Sequence, residues 1–451
     1  MSAKLPGSRV GLVGWGVSHQ ALGRHLCTLG CTLSVYDQRE RSDLDLPAQM
    51  LLDELAASYV GGPGYLDQVG VADTMFLTPG LPQHLPQIAA WQQRGVRIRG
   101  EAEYALSLLG DRVIGITGSS GKSTTSTLTA HLLRAGGVPA VAAGNLGTPL
   151  IEVVDLAGDL TVVCELSSFQ LGLFAQPMAL AAILNVRPNH LDVHPGFEAY
   201  LQAKLNLIRN QRADQVALLP AGEEELWRAA AAFAGKKVAI GDPEAAEGAF
   251  IRDEQFVVRL AGQERIIARV REWHLIGAHN LQNALFALYL ALARGADAKA
   301  LGLALATFQG LPHRLELVAE VAGVRFVNDS IATTPDRTVA ALAAMQGPVW
   351  LLAGGYDKHL DYQPLALARR PQGVFCFGAT AAQVAAAFAQ ADVPVWVGAD
   401  LAWAFSQATS RAVPGDTVLL SPASASYDQY SDFKERGQAF MGLVTHYADA
   451  H

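Results

Sequence analysis

The residues Gly115-Ile116-Thr117-Gly118-Ser119-Ser120-Gly121-Lys122-Ser123-Thr124 follow an apolar run and precede a helical pattern. In a loop of this type successive backbone amides cradle phosphate oxygens, the lysine reaches the outer phosphates, and the hydroxyl after it ligates Mg²⁺. The strict form has a glycine where Ile116 stands, so this is a shortened variant with Gly118 as its first glycine. The run Thr161-Val162-Val163-Cys164 ends in Glu165. An acid at the end of a buried parallel strand is where a nucleotide enzyme keeps its Mg²⁺ carboxylate, although such a residue also serves as a helix N-cap or a loop charge.

A second glycine turn, Gly14-Trp15-Gly16-Val17-Ser18-His19, also follows an apolar run and opens a helix, and Asp37 stands about 20 residues on, where a ribose-binding acid belongs. A dinucleotide fingerprint wants glycine at position 19, and His19 breaks it. A nucleotide diphosphate over this helix N-terminus, drawn by dipole and open amides, and an unliganded tight turn both fit. The sequence Arg187-Pro188-Asn189-His190-Leu191-Asp192-Val193-His194 offers two histidines and an acid, a weak metal signal when read locally, since Mg²⁺ prefers oxygen and zinc needs more Cys or His. Three further apolar runs end in polar residues: Asn328-Asp329-Ser330, Gly354-Gly355-Tyr356-Asp357-Lys358 and Ser421-Pro422-Ala423-Ser424-Ala425-Ser426. Strand C-termini form the ligand crevice of open α/β sheets, so three polar ends on one edge read as a second substrate site.

Positioning these groups requires parallel α/β units, and short apolar runs do alternate with helical patterns throughout. The predicted strands of a first unit are Arg9–Val13, Thr32–Tyr36, Thr74–Leu77 and Val96–Ile98, with a helix near Ser18–Leu29. A second unit holds Arg112–Thr117, Ala140–Ala143, Thr161–Cys164, Ala179–Val186 and Gln215–Leu219, an antiparallel patch over 236–272 and a helix near Asn280–Arg294. A third holds Val324–Val327, Val349–Leu352, Val374–Phe377, Val395–Val397 and Thr417–Leu420. The expected fold is α/β in three domains, 1–100, 101–310 and 311–451: a Rossmann-like unit, a P-loop ATPase-type unit and a second Rossmann-like unit.

Composition sets outer bounds. The chain has 451 residues, about three domains' worth. Its net charge of −8 argues against a general binder of nucleic acid or anionic membranes, which would carry a basic face. Every apolar run is broken before the roughly 20 residues a bilayer span needs, and no signal peptide is visible, so a soluble cytoplasmic protein is expected. Four cysteines make no disulfide framework, and Cys27 and Cys31 are expected to serve packing.

Taken together, these motifs resemble the Mur ligase family over nearly the whole chain. The likeness rests on Gly118–Thr124 with its shortening, on Glu165-Leu166-Ser167-Ser168-Phe169-Gln170-Leu171 and on Gly144-Asn145-Leu146-Gly147. It rests equally on Ile183-Leu184-Asn185-Val186 running into His190 and Asp192, and on Gly310-Leu311-Pro312-His313-Arg314. The resemblance implies a nucleotide-sugar domain, a central ATPase domain and a C-terminal domain that brings an amino acid. It implies an ATP-dependent, amide-forming ligase of peptidoglycan precursor synthesis that adds D-glutamate to UDP-N-acetylmuramoyl-L-alanine through an acyl phosphate, acting as a monomer. A sibling adding L-glutamate, or a nicotinamide dehydrogenase built on Gly14–Asp37, are the alternatives; His19 and the Gly118–Thr124 loop argue against the latter.

Residue by residue, the resemblance gives Gly118, Ser119, Ser120, Gly121, Lys122, Ser123 and Thr124 to the ATP phosphates. Asn280 and Asn283 go to the adenine region, and Arg314 and Asp329 to the phosphates and ribose. Ser123 and Glu165 would hold one Mg²⁺ and His190 a second. Lys204 matches a lysine the family carries as a CO₂-derived carbamate, an oxygen ligand for metal. Lys122, His190 and Lys204 are thereby the catalytic candidates. Gly14, Trp15, Gly16, Val17, Ser18, Asp37, Arg39, Thr78, Pro79, Gly80 and Asn145 would hold the UDP-sugar. Thr333, Lys358, Ser426, Tyr427 and Phe433 would hold glutamate. The chain departs from the family at Ile331, where a lysine is common, at Val193, where an arginine is, and at Ser424, which replaces a cysteine.

Overall fold

The structure, a computed structural model, describes residues 5–82, 85–145, 149–154, 160–188 and 194–451. The chain packs as two compact units, Met1–Trp273 with Gln282–Phe308, and His274–Leu281 with Gln309–His451.

The first unit contains two sheets. Strands β1 (Arg9–Val13), β2 (Thr32–Asp37), β3 (Ser58–Gly61), β4 (Thr74–Leu77) and β5 (Arg97–Arg99) pair in the order β3-β2-β1-β4-β5, all parallel. The chain leaves β1 towards β2 on one side and returns to β4 on the other. The sheet's switch point therefore lies between β1 and β4, and the crevice beyond their C-termini is where such folds bind ligand. Central strands β1 and β4, Arg-Val-Gly-Leu-Val and Thr-Met-Phe-Leu, are buried throughout apart from Arg9, because both faces are covered, as parallel sheets require. Half-exposed β3, with a weak Ser-Tyr-Val-Gly pattern, is the strand the sequence did not reveal.

The second sheet runs β14-β13-β12-β11-β10-β9-β6-β8-β7. Its strands are β6 (Val113–Thr117), β7 (Ala140–Gly144), β8 (Thr161–Glu165), β9 (Leu180–Ile183), β10 (Val216–Pro220), β11 (Lys236–Ile240), β12 (Gly248–Arg252), β13 (Gln255–Leu260) and β14 (Gln263–Arg269). Pairing is parallel from β7 to β12 and antiparallel across β12, β13 and β14, so the antiparallel patch expected over 236–272 begins only at β12, while β11 pairs parallel on both sides. Strand β6 sits between β8 and β9, so three strand ends meet at one place. The expected strand Ala179–Val186 is shorter, because Leu184 and Asn185 leave the ladder to bond the glycine loop. Leu184 donates its amide to Thr117 O (2.9 Å), and Asn185 O accepts from Ser119 N (3.0 Å). One apolar cluster joins both sheets, running from Leu12 and Leu22 through Tyr104 and Leu109 to Leu150, Ile183 and Leu207.

In the second unit β15 (Glu316–Val321), β16 (Val324–Asn328), β17 (Val349–Gly354), β18 (Gly373–Phe377), β19 (Val395–Val397) and β20 (Thr417–Leu420) pair as β15-β16-β20-β17-β18-β19. Only the edge pair β15–β16 is antiparallel. The late strand β20 inserts between β16 and β17. The three polar strand ends singled out in the sequence therefore lie side by side. Cys27 is exposed, not packed as expected; it lies in the last turn of its helix with its side chain toward water.

Candidate active site

Strand β6 delivers the glycine loop to the helix Lys122–Ala135, whose N-cap is Gly121. Gly121 has φ of +81°, and a side-chain carbon there would run into Asn283. Glycine is needed for both reasons. The first helical turn carries no acid and no side-chain cap, so its amides and dipole are open to an anion. Lys122 Nζ folds back on the carbonyls of Gly118 (2.9 Å) and Ser119 (3.3 Å). Asn185 fixes the loop's shape: its Oδ1 accepts from Ser120 N (3.0 Å) and its Nδ2 donates to Ser120 O (3.2 Å). Ser119 Oγ bridges Arg187 O and the Tyr200 hydroxyl, each at 3.0 Å.

At the end of β8 the carboxylate of Glu165 is 2% exposed. Asn145 Nδ2 donates to its Oε1 (2.9 Å), while Oε2 is buried with no partner among the described residues. An orphaned buried carboxylate oxygen is costly unless a cation completes it. Lys204 is the matching feature. Its helix, Phe197–Arg209, buries the side chain to 1% exposure, with Nζ donating to Gly118 O (2.8 Å) and lying 4.5 Å from the Tyr200 ring centroid. Burial, then the charge of Lys122, push its pKa down to about 6, against a smaller opposing pull from Glu165. The Lys204 amine is therefore neutral at pH 7 and nucleophilic. Tyr200 and Asn185 were not among the sequence candidates. Their signals were a place one helical turn before Lys204 and a strand end beside the loop.

The first sheet's crevice is built differently. The helix Val17–Thr28 again starts without a side-chain cap or a first-turn acid. Here the acid is spent: Asp37 accepts from Trp15 N (2.7 Å) and from Arg39 N (3.0 Å), Nε (3.0 Å) and Nη2 (2.8 Å). Burial alone would raise its pKa, but the Arg39 guanidinium and the two amides hold it below the usual carboxylate range. Thr78 N donates to Val13 O (3.0 Å), so Thr78-Pro79-Gly80 flanks the same crevice as Gly14-Trp15-Gly16. Val17 is exposed and Ser18 half-buried beside it. His19 occupies the interior instead, 2% exposed, with Nδ1 2.8 Å from Gly14 O. Asn145, assigned with this group, lies at the other site, on Glu165.

In the second unit Asp329 follows β16, 5% exposed, accepting from Leu315 N (3.2 Å) and Ser421 Oγ (2.9 Å). Burial drives its pKa up to about 7. Arg314 lies close enough to depress His279, after burial, the larger cause. Asn280 is buried beside His279, its Nδ2 donating to Ile276 O (2.7 Å), while buried Asn283 falls in the first unit at Gly121. Lys358 Nζ lies 5.4 Å from the Tyr427 ring centroid, Ser426 is 2% exposed, Thr333 is half-buried, and Phe433 meets the His313 ring edge-on at 6.1 Å. Ser424, the replaced cysteine, is fully buried in a hydroxyl network with Tyr362 (2.9 Å) and Thr380 (2.8 Å). His190, Asp192 and Val193 lie outside the described residues, as do Leu146 and Gly147. Among the described residues no three His, Cys, Asp or Glu side chains gather as a metal site, and no helix is long and apolar enough to cross a membrane.

The model of the Mur ligase middle domain matches residues 116–291, and that of the Mur ligase glutamate ligase domain matches residues 313–424. Similar curated proteins include the UDP-N-acetylmuramoylalanine–D-glutamate ligase of Symbiobacterium thermophilum, 40% identical over 445 residues and covering 97% of each chain. The enzyme of the same name from Myxococcus xanthus is 38% identical, covering 98% of this chain and 99% of its own. Among solved structures, MurC of Thermotoga maritima aligns with a TM-score of 0.58 at 17% identity, over 98% of this chain and 100% of its own. MurF of Acinetobacter baumannii aligns with a TM-score of 0.57 at 17% identity, over 99% and 92%. With full-length relatives above a third identical and a three-sheet α/β fold that carries the glycine loop, the buried acid and the buried lysine in one unit, this chain belongs to the Mur ligase family of ATP-dependent amide-forming ligases.

Proposed function

We propose that the chain joins D-glutamate to UDP-N-acetylmuramoyl-L-alanine at the expense of ATP, in the cytoplasm and as a monomer. The observation that carries the reading is the meeting of Lys122, Glu165 and Lys204 around one phosphate loop; the D-glutamate ligases among its full-length relatives support the choice of amino acid. The alanyl carboxylate oxygen attacks the γ-phosphorus of ATP, ADP leaves, and an acyl phosphate forms. The deprotonated amine of glutamate then attacks the acyl carbon, the amide bond forms, and inorganic phosphate departs. Lys122 and the loop amides hold the phosphates and offset the repulsion between triphosphate and carboxylate.

The orphaned Glu165 Oε2 fits a cation. Ser123, Glu165, His190 and a carbamate on Lys204 would hold two Mg²⁺ ions, which when bound neutralise charge on the reacting phosphate. A neutral, buried Lys204 amine can take up CO₂, its nitrogen bonding the carbon as one proton leaves, and the resulting carbamate supplies oxygens alongside those of Glu165. The three sheets would divide the work over 1–100, 101–310 and 311–451: Gly14–Ser18, Asp37, Arg39 and Thr78–Gly80 on the UDP-sugar, Asn280, Asn283, Arg314 and Asp329 on ATP, and Thr333, Lys358, Ser426, Tyr427 and Phe433 on glutamate.

The test is phosphate release with ATP, Mg²⁺ and UDP-N-acetylmuramoyl-L-alanine, supplying D- or L-glutamate separately. Release is expected with the D form only. None with either would sink the reading, and release with L-glutamate alone would reassign the substrate.

A further inference from the structure

Arg436 is fully buried, on the helix Phe433–Ala450, with no carboxylate among its hydrogen-bond partners in the described residues. Nε donates to Ser330 Oγ (3.0 Å), Nη1 to Ala425 O (3.0 Å) and, at the limit, Gly354 O (3.5 Å), and Nη2 to Ser330 O (2.9 Å) and Ser424 O (3.0 Å). A guanidinium has five N–H donors in a rigid fork, and here each has an acceptor. Those acceptors lie at or just beyond the C-terminal ends of β16, β17 and β20, three adjacent strands of the second unit's sheet.

Burying a cation against one hydroxyl and four backbone carbonyl contacts, without a bonded acid, is expensive, and the cost points to a task. Every residue proposed to hold glutamate sits a few positions from an anchored atom. Thr333 follows Ser330, Lys358 follows Gly354, Ser426 and Tyr427 follow Ala425, and Phe433 stands one turn before Arg436, its own carbonyl accepting from Ser330 Oγ (2.8 Å). The backbone around the fork is shaped to admit it. Gly355 has φ of +145°, and a side-chain carbon there would strike both the Ala425 carbonyl and the guanidinium. Tyr356 N then donates to Ala425 O (2.8 Å), closing the β17 and β20 ends together.

We propose that Arg436 is the positioning residue of the amino-acid subsite, locking three strand ends into the one arrangement that presents Thr333, Lys358, Ser426 and Phe433 to the incoming dicarboxylate. The inference rests on the glutamate reading above. The Arg436 charge, bonded to no acid among the described residues and reached by Asp428 only through its field, also favours an anionic occupant where Ile331 supplies no cation.

The test uses full-length Arg436→Lys, which keeps the charge but loses the fork, and Ser330→Ala, which removes the Nε acceptor together with the hydroxyl that donates to Phe433 O. Three readouts are compared with wild type: KM for D-glutamate, KM for ATP, and glutamate-independent acyl phosphate trapped by borohydride reduction. Arg436→Lys should raise the glutamate KM about 10- to 100-fold, leave the ATP KM within about twofold and still form acyl phosphate. Ser330→Ala should move the same parameter about three- to tenfold. A glutamate KM within twofold of wild type in a folded variant overturns the proposal, as does a parallel loss of all three readouts. If Arg436→Lys does not fold, Ser330→Ala decides by the same criteria. Should wild type release no phosphate with glutamate but still form acyl phosphate, the glutamate reading has failed rather than the role of Arg436.

Discussion

The first unit contains the same local device twice, with opposite electrostatic finish. After β1 and after β6 a glycine turn opens an uncapped helix, and an acid stands at a neighbouring strand end. Around Gly14 the acid is consumed, since both Asp37 oxygens are taken by Arg39 and the Trp15 amide. Around Gly118 it is not, since Glu165 Oε2 is buried without a partner among the described residues, beside a lysine whose charge burial suppresses. The first arrangement is electrostatically complete and can offer an anion only amides and a helix end. The second is incomplete without a cation. A glycine pattern marks where phosphate can sit; the unspent polar atoms decide whether metal-assisted chemistry happens there.

The contrast breaks hardest at Glu165. Glu165→Gln keeps the Oε1 acceptor for Asn145 and removes the orphaned charge. Turnover should fall about 10²- to 10⁴-fold while the thermal midpoint holds or rises. Wild-type turnover in this variant would remove the basis for calling the second site incomplete. Lys204→Ala comes next, with a loss of about 10²-fold or more. Wild type incubated with ¹³C-bicarbonate should show a carbamate carbon resonance that Lys204→Ala lacks; the same resonance in both would place the label elsewhere.

Asp37→Asn tests the other side. An amide must present an N–H where both carboxylate oxygens now accept, so the Arg39 and Trp15 contacts loosen. KM for the UDP-sugar substrate should rise about tenfold with KM for ATP unchanged. A matching rise for ATP would mean the two crevices are not independent.

How much of this could be read from residues follows the same division. Strand ends rich in glycine and acid were legible, because β1, β4, β19 and β20 are short, mostly apolar runs closed by turn chemistry, and their bounds are as expected. Polar atoms satisfied across long sequence separations were not. Nothing in Phe433-Lys434-Glu435-Arg436-Gly437 announces a guanidinium bound to residues 106 positions away. Nor does Ala203-Lys204-Leu205 by itself announce a buried amine, since a lysine in a helix is ordinarily solvated. Family likeness supplied Lys204, whereas only the fold supplied Arg436. The edge strands β3 and β15 were missed for the reverse reason: partly exposed on both faces, they lack the continuous apolar run of the central strands.

The smallest effect concerns His19, which fills the position where a dinucleotide turn has glycine. Its Nδ1 contact with Gly14 O braces the turn, and Nε2 is buried with no partner among the described residues. Burial is the dominant cause and lowers its pKa to about 4, outweighing the pull of the Gly14 and Val13 backbone and of Asp37. In the unfolded chain the imidazole titrates near 6.5. Between these values the unfolded state binds a proton that the folded state refuses, so stability falls as pH drops from about 6.5 to about 4 and levels off below. The contribution is on the order of 3 kcal/mol across the window. His19→Gln keeps a donor for Gly14 but cannot titrate. Denaturant midpoints at pH 7 and pH 5 should therefore lie closer together in His19→Gln than in wild type. Equal separations in the two proteins would show that His19 is not held neutral, and that the first crevice carries a charge its geometry does not display.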